Sequence, residues 1–476
     1  MIRTIQIDGF KSIASQTLDL GRVNCFIGAN GVGKSNILEA IGVLGAAASG
    51  RVDDESLQRR GVRAGTPRLY KTAFPDLPIR PHITLSAASG TGATYRVSLL
   101  NPLENPEPAW SYKTEYLCDA NQEFVSCGVR TVAANLSATA GLAALKLVDI
   151  PADNPAAALM RHLQGYAIYS PNTPALRGTV PDPQSRAPVG LAGGRLAEGF
   201  ADLRGTVLDR DGALDDTVLE LLDWVADVDV TDAAGPLLSP AVPRGKYLLR
   251  FTDRFMTQRR NTLSAYDASE GALYVLFSAI LCLSPASPGL IAVDNLDQAL
   301  NPRLIARLTE RLSQWLQVEA RPRQLFFTAD NPGPRQLLFT AHNPAVLDGL
   351  DLTDDEVRLF AVDRNSNGHT CCRRIRPTKE LLALQTTYPL SRLWLMGRLG
   401  AIPNVCIAHR LGGRGRYGSD RHRSGTEGHP APGLRADPVT GRGAARCSRG
   451  RMVRRVQMVQ RVSGTWPCRV GSGPDA

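Results

Sequence analysis

The chain lacks any uninterrupted apolar run of about 18 residues, the length a membrane-crossing helix needs. Its opening, M-I-R-T-I-Q-I-D-G-F, also lacks the long apolar segment of a secretory signal. A soluble, cytoplasmic protein without membrane contact is therefore expected. The nine cysteines include no C-x-x-C pair and no cysteine–histidine cluster at zinc spacing, which argues against a zinc module and a disulfide framework and leaves reduced, structural thiols. No heptad repeat of several turns is present, so no long coiled coil is expected.

An excess of charge of one sign is missing from most of the chain, despite a net charge of +10. From Asn404 onward there are 14 Arg, no Lys and only four acids, which leaves 41 basic and 41 acidic residues in 1–403. The folded part is neutral overall, and the total charge says nothing about what it binds. The last 73 residues contain only two Leu (Leu411, Leu434), one Ile (Ile407) and no Phe, among many Gly, Arg and Pro. Such a segment cannot bury enough apolar surface to offset chain ordering, so disorder is expected there. The abrupt loss of patterning near Val405 also fits translation out of frame after a coding shift.

What is present begins with Gly28–Ser35, G-A-N-G-V-G-K-S. It fits G-x-x-x-x-G-K-[ST] and lies after an apolar run (Val23, Cys25, Phe26, Ile27) and before a helical pattern from Asn36 to Leu44. Gly28, Gly31 and Gly33, with Ala29, Asn30 and Val32 between them, allow a backbone curl whose N–H groups face a phosphate. Lys34 would meet the β- and γ-phosphates, Ser35 would give its hydroxyl to Mg²⁺, and Asn36 would open the helix whose positive end faces the anion.

Three further signals lie between Lys246 and Leu350. Ser269, Glu270 and Gly271 open a helix that runs through Leu281; such a start is an ordinary cap or a phosphate contact. Gly289–Asp294 is an apolar strand ending in an acid, the shape of a Walker B strand whose carboxylate holds Mg²⁺. Gln336–His342 is a strand ending in a histidine, which could reach a γ-phosphate or be structural.

The order of these four elements resembles that of the ABC-class ATPases of the RecF, SMC and OLD group, often grouped as AAA family ATPases. The matching stretches are I-D-G-F-K-S-I, G-A-N-G-V-G-K-S-N-I-L-E-A-I, A-S-E-G-A-L, L-I-A-V-D-N-L-D-Q-A-L-N-P and F-T-A-H-N-P. The resemblance implies an α/β P-loop fold with a mixed central sheet flanked by helices, binding ATP with Mg²⁺. It also implies a head-to-tail homodimer in which Lys34 and Ser35 of one copy face Ser269 of the other, a role with DNA or in phage defence, and a separately encoded effector or nuclease.

The chain departs from that pattern in three places. The family's usual Glu after the Walker B acid is replaced by Asn295, and an amide cannot accept a proton. Either hydrolysis relies on Asp297 as a substitute, beside Lys34, Asp294 and His342, or the protein is an ATP-gated scaffold that does not hydrolyse. Nothing after Leu350 supplies the clustered acids of a nuclease. Finally, Pro322–Gly333 (P-R-Q-L-F-F-T-A-D-N-P-G) is echoed at once by Pro334–Ala345 (P-R-Q-L-L-F-T-A-H-N-P-A). Only the second copy has the histidine, so the switch is assigned to His342 and not to Asp330; one copy is expected to form an extra edge strand or a loop.

The expected organisation is a first ATPase lobe over 1–115, an inserted helical, proline-rich region over 116–245, a second lobe over 246–403 and the tail over 404–476. Lys379–Met396 is expected to be a closing helical segment packed on the core.

Overall fold

The computed structural model describes residues 1–127, 137–204, 217–232, 237–243, 245–317 and 335–400. The described residues all belong to one unit within 1–406; residues 407–476 lie outside the described residues. The arginine-rich tail and the first repeat copy with Asp330 therefore also lie outside them.

In chain order the principal elements are β1 (Ile2–Phe10), β2 (Ile13–Asp19), β3 (Val23–Ile27), α1 (Lys34–Ala48), β4 (His82–Ser89), β5 (Thr94–Leu100), β6 (Ser111–Cys118) and β7 (Glu123–Cys127). Then come α2 (Pro155–Gly165), β8 (Ala167–Tyr169), α3 (Leu196–Leu203), β9 (Val225–Asp232), β10 (Tyr247–Asp253) and β11 (Thr262–Ser264). The second half adds α4 (Glu270–Leu283), β12 (Leu290–Val293), α5 (Pro302–Gln317), β13 (Gln336–Ala341), β14 (Val357–Arg364) and β15 (Thr370–Ile375).

The central sheet has the order β15-β14-β3-β13-β12-β8. Its strands are parallel except for β15, which returns antiparallel to β14. Both faces of this mixed sheet are covered, and the side chains alternate between two cores as a period of two requires. Val23, Cys25 and Ile27 of β3, Ile291 and Val293 of β12, and Leu337, Phe339 and Ala341 of β13 enter the core shared with α4 and α5. Phe26, Ala292 and Leu338 point the other way, toward α1 and the N-terminal strands. Burial on both faces explains why these strands read as continuous apolar runs, and why α4 is apolar nearly all round, buried from Ala272 to Cys282.

A second six-stranded sheet, β2-β1-β4-β5-β6-β7, is antiparallel throughout. The position of the expected first lobe boundary, 115/116, falls inside β6, so this sheet runs on to Cys127. The region expected to be helical and irregular also supplies β8, which forms an edge of the central sheet, and β9. Polar side chains join the two sheets: buried Gln336 accepts from the Ile2 N–H (3.2 Å) and donates to the Ile2 and Gly21 carbonyls (2.8 and 2.6 Å). The closing segment is two short helices, Lys379–Gln385 and Leu390–Leu395, separated by Thr386–Pro389. Leu390, Leu393 and Trp394 are buried, whereas Leu395 is exposed.

Candidate active site

The loop between β3 and α1 is shaped by glycine where nothing else fits. Gly31 and Gly33 have φ of +76° and +107°, and a Cβ on Gly28 would meet the Val362 carbonyl oxygen at 2.1 Å. A Cβ on Gly33 would lie 2.2 Å from the Thr370 hydroxyl. That hydroxyl donates to the Val32 carbonyl (2.7 Å) and lies 2.7 Å from the Ser12 hydroxyl, which accepts from the Asn36 amide (2.7 Å). Arg364 Nε donates to the Gly31 carbonyl (3.0 Å). The loop is thus held by the turn after β1 and by the β14–β15 hairpin.

No side chain caps the N-terminus of α1, and its first turn contains no acid. The end of a 15-residue helix left in this way favours an anion. Lys34 is buried beside it, and its ammonium donates to the carbonyls of Gly28 (2.8 Å) and Ala29 (2.9 Å) and lies 3.1 Å from His342 Nδ1. Burial lowers its pKa from 10.5 to about 8, against the opposing pull of Asp294 and Asp297.

The parallel neighbours of β3 bring in the rest. Asp294 follows the last residue of β12, and its Oδ1 accepts from the Ser35 hydroxyl (3.0 Å) and the Thr340 hydroxyl (2.6 Å). Asn295 sits in left-handed backbone, φ +58°, with its N–H donating to the Thr340 hydroxyl (2.8 Å). His342 follows the end of β13; burial and the nearby Lys34 lower its pKa, so the ring is neutral near pH 7. A lysine can only donate, so Nδ1 accepts from Lys34 and Nε2 carries the proton, donating to Asn295 Oδ1 (3.0 Å). Asp297 Oδ2 accepts the backbone N–H groups of His342 (2.8 Å) and Asn343 (2.5 Å), holding the turn after β13.

Ser35, Asp294, Asn295, His342 and Lys34 therefore form one connected group, with Asp297 behind it. Ser269 stands apart: its hydroxyl accepts from the Ala272 N–H (3.4 Å) as the N-cap of α4, it is exposed, and among the described residues it bonds no loop residue. Glu270 is exposed beside it, and Gly271 faces Leu304. Among the described residues no group of three His, Cys, Asp or Glu could hold a metal on its own. The Ser35–Asp294 oxygen pair fits Mg²⁺, a cation usually held by one or two protein oxygens plus substrate phosphate and water. The sequence reading missed the site roles of Thr340, Ser12 and Thr370, although Thr340, a hydroxyl among the apolar residues Leu337–Phe339 and Ala341, was a readable signal.

An apolar parallel strand, a glycine loop, an uncapped helix start bearing Lys-Ser, and an adjacent strand-end acid make up the site of a P-loop ATPase. Residues 1–57 match the family model described as "AAA ATPase domain", and residues 217–348 match the one described as "AAA domain, putative AbiEii toxin, Type IV TA system". Both descriptions are of AAA-type ATPase domains, and the matched stretches carry the glycine loop, the strand-end acid and His342, which supports an ATP-binding P-loop ATPase. Among solved structures it is similar to an SMC head bound to the C-winged-helix domain of ScpA: 13% identity, 80% of this chain and 99% of that one, TM-score 0.47. It is similar also to the SMC head domain from Thermotoga maritima (14% identity, 79% and 99% coverage, TM-score 0.39). A third is an SMC head with an extended coiled coil bound to the C-terminal domain of ScpA from Pyrococcus furiosus (10% identity, 81% and 98% coverage, TM-score 0.45). No curated protein matches the sequence. Among the described residues no helix is long and apolar enough to cross a membrane.

Proposed function

We propose that the protein is an ATP-dependent switch that dimerises head to tail on ATP, hydrolyses it slowly, and acts with DNA or in defence against phage alongside a separately encoded effector. The observation that carries the nucleotide part is the Ser35–Asp294 contact at 3.0 Å beside an uncapped helix start and a buried ammonium. In this reading Gly28 to Asn36 cradle the phosphates, with Lys34 pairing the β- and γ-phosphates. Ser35 and Asp294 hold Mg²⁺, which neutralises charge on the phosphates when bound. His342 presents a neutral ring toward the same point, while Asp297 holds its backbone.

Dimerisation rests on the exposure of Ser269 and Glu270 at the start of α4, which leaves that helix end free to meet a second copy's nucleotide. DNA and the effector rest on the family resemblance alone. Slow turnover rests on Asn295, whose amide cannot take a proton from water. The same residue favours a second reading, an ATP-gated scaffold without hydrolysis.

The test is steady-state phosphate release by the full chain, with and without DNA, beside Lys34→Ala and an ATP-binding assay. Turnover that Lys34→Ala abolishes supports the switch. ATP binding without turnover sensitive to Lys34→Ala supports the scaffold, and absence of Lys34-dependent ATP binding sinks both.

A further inference from the structure

The geometry points to Thr340 as the positioning residue of the metal site, the post around which the acid-bearing turn after β12 is wound. Three consecutive residues are tied to it. Its hydroxyl donates to Asp294 Oδ1 (2.6 Å) and accepts from the Asn295 N–H (2.8 Å), and its carbonyl accepts from the Leu296 N–H (3.0 Å). A hydroxyl has one proton to give and lone pairs to receive, so a single oxygen serves both neighbours at once.

The arrangement is enclosed. Thr340 is fully buried in β13, next to Phe339, which pairs with Val293 in the parallel ladder. The residue is thus opposite the point where β12 ends and the chain turns, and the left-handed Asn295 is held there by the Thr340 hydroxyl. Without that hydroxyl the Asn295 N–H would be left without this acceptor, and Asp294 Oδ1 would keep only the Ser35 hydroxyl of its two donors. The main-chain bond to Leu296 does not involve the Thr340 side chain, so a side-chain substitution tests the hydroxyl's hold on Asp294 and Asn295.

Thr340 touches neither nucleotide nor metal in this assignment. It acts through Asp294, and the inference rests on the reading of Ser35 and Asp294 as the metal pair. The consequence is specific: losing the hydroxyl weakens what depends on the metal and leaves the direct grip of the glycine loop on phosphate unchanged.

The experiment is a Mg²⁺ titration of binding of a fluorescent ATP analogue to the full chain, for wild type, Thr340→Val, Thr340→Ser and Ser35→Ala. Metal-free affinity is measured alongside. A hydrogen bond to a charged group being lost, T340V should need about tenfold more Mg²⁺ for half-maximal enhancement of binding. Its metal-free affinity should match wild type, and T340S should restore the wild-type Mg²⁺ requirement. Should T340V not fold, Thr340→Ala removes the same hydroxyl with less bulk and is read in its place. An unchanged Mg²⁺ requirement, an equal loss of metal-free affinity, or failure of T340S to rescue would each overturn the assignment. If wild-type binding ignores Mg²⁺, or Ser35→Ala leaves its Mg²⁺ dependence intact, the metal pair itself falls and the role of Thr340 with it.

Discussion

Replacing Asn295 by Glu asks whether one amide sets the rate. A positioned general base contributes about 10²–10⁴-fold to a hydrolysis, or roughly 3–5 kcal/mol of barrier. At 295 the side chain already reaches the right neighbourhood, since its oxygen receives the His342 Nε2 proton at 3.0 Å. A carboxylate can keep that bond and still face water. The cost lies in the backbone: φ is +58°, a conformation Asn tolerates better than Glu, so N295E should lose about 1 kcal/mol of stability. Asn295→Gln carries the same extra methylene and a similar backbone cost without a base, and so isolates the proton acceptor. Steady-state phosphate release by the full-length proteins at saturating ATP should rise at least about tenfold in N295E over N295Q. If N295E and N295Q turn over at the wild-type rate while binding ATP normally, the amide is not limiting, and Asp297 becomes the base to test.

Two further outcomes follow from the loop and its supports. Gly33→Ala forces a Cβ to within 2.2 Å of the Thr370 hydroxyl at φ +107°, and should cost about 2–4 kcal/mol in chemical denaturation while weakening nucleotide binding; adding Thr370→Ala should recover part of that loss but not the part due to φ, and full recovery would refute the strain argument. Glu356 grips Arg3 with both oxygens (2.9 and 2.6 Å), and this pairing holds its carboxyl below the ordinary value of 4.5. That contribution is present above 4.5 and lost as pH falls through the lowered folded value, so Glu356→Gln should flatten the acid side of the stability curve; an unchanged slope in thermal unfolding between pH 5 and the acid limit would contradict it.

The elements that build the candidate site were legible because each combines a strong local pattern with a chemical residue at its end. Val23–Ile27 before the glycines, Leu290–Val293 before Asp294 and Gln336–Ala341 before His342 all fold as read. Their adjacency in one parallel sheet was not written locally; it came through the resemblance. Strand β6 escaped notice because the proline-bearing stretch 101–110 precedes it, and β8 because three residues buried on both faces give no alternation to detect. Residues 379–396 looked like one helical segment, but Pro389 provides no N–H and biases Tyr388 away from helix, so two short helices result. The role of Thr340 needed three dimensions: its partners are about 45 residues away in sequence.

The three bonds of the Lys34 ammonium have a thermodynamic consequence. Gly28, Ala29 and His342 together take all three of its protons. Binding of a phosphate to that ammonium is therefore an exchange of partners, in which the incoming oxygens displace protein acceptors that already satisfy the cation. The imidazole and the phosphate become rivals for one charge, and rivalry of this kind is mutual by linkage. In the proposed reading, whatever fastens the turn carrying His342 and Asp297 against the lysine would weaken nucleotide binding by some factor, and nucleotide would loosen that turn by the same factor.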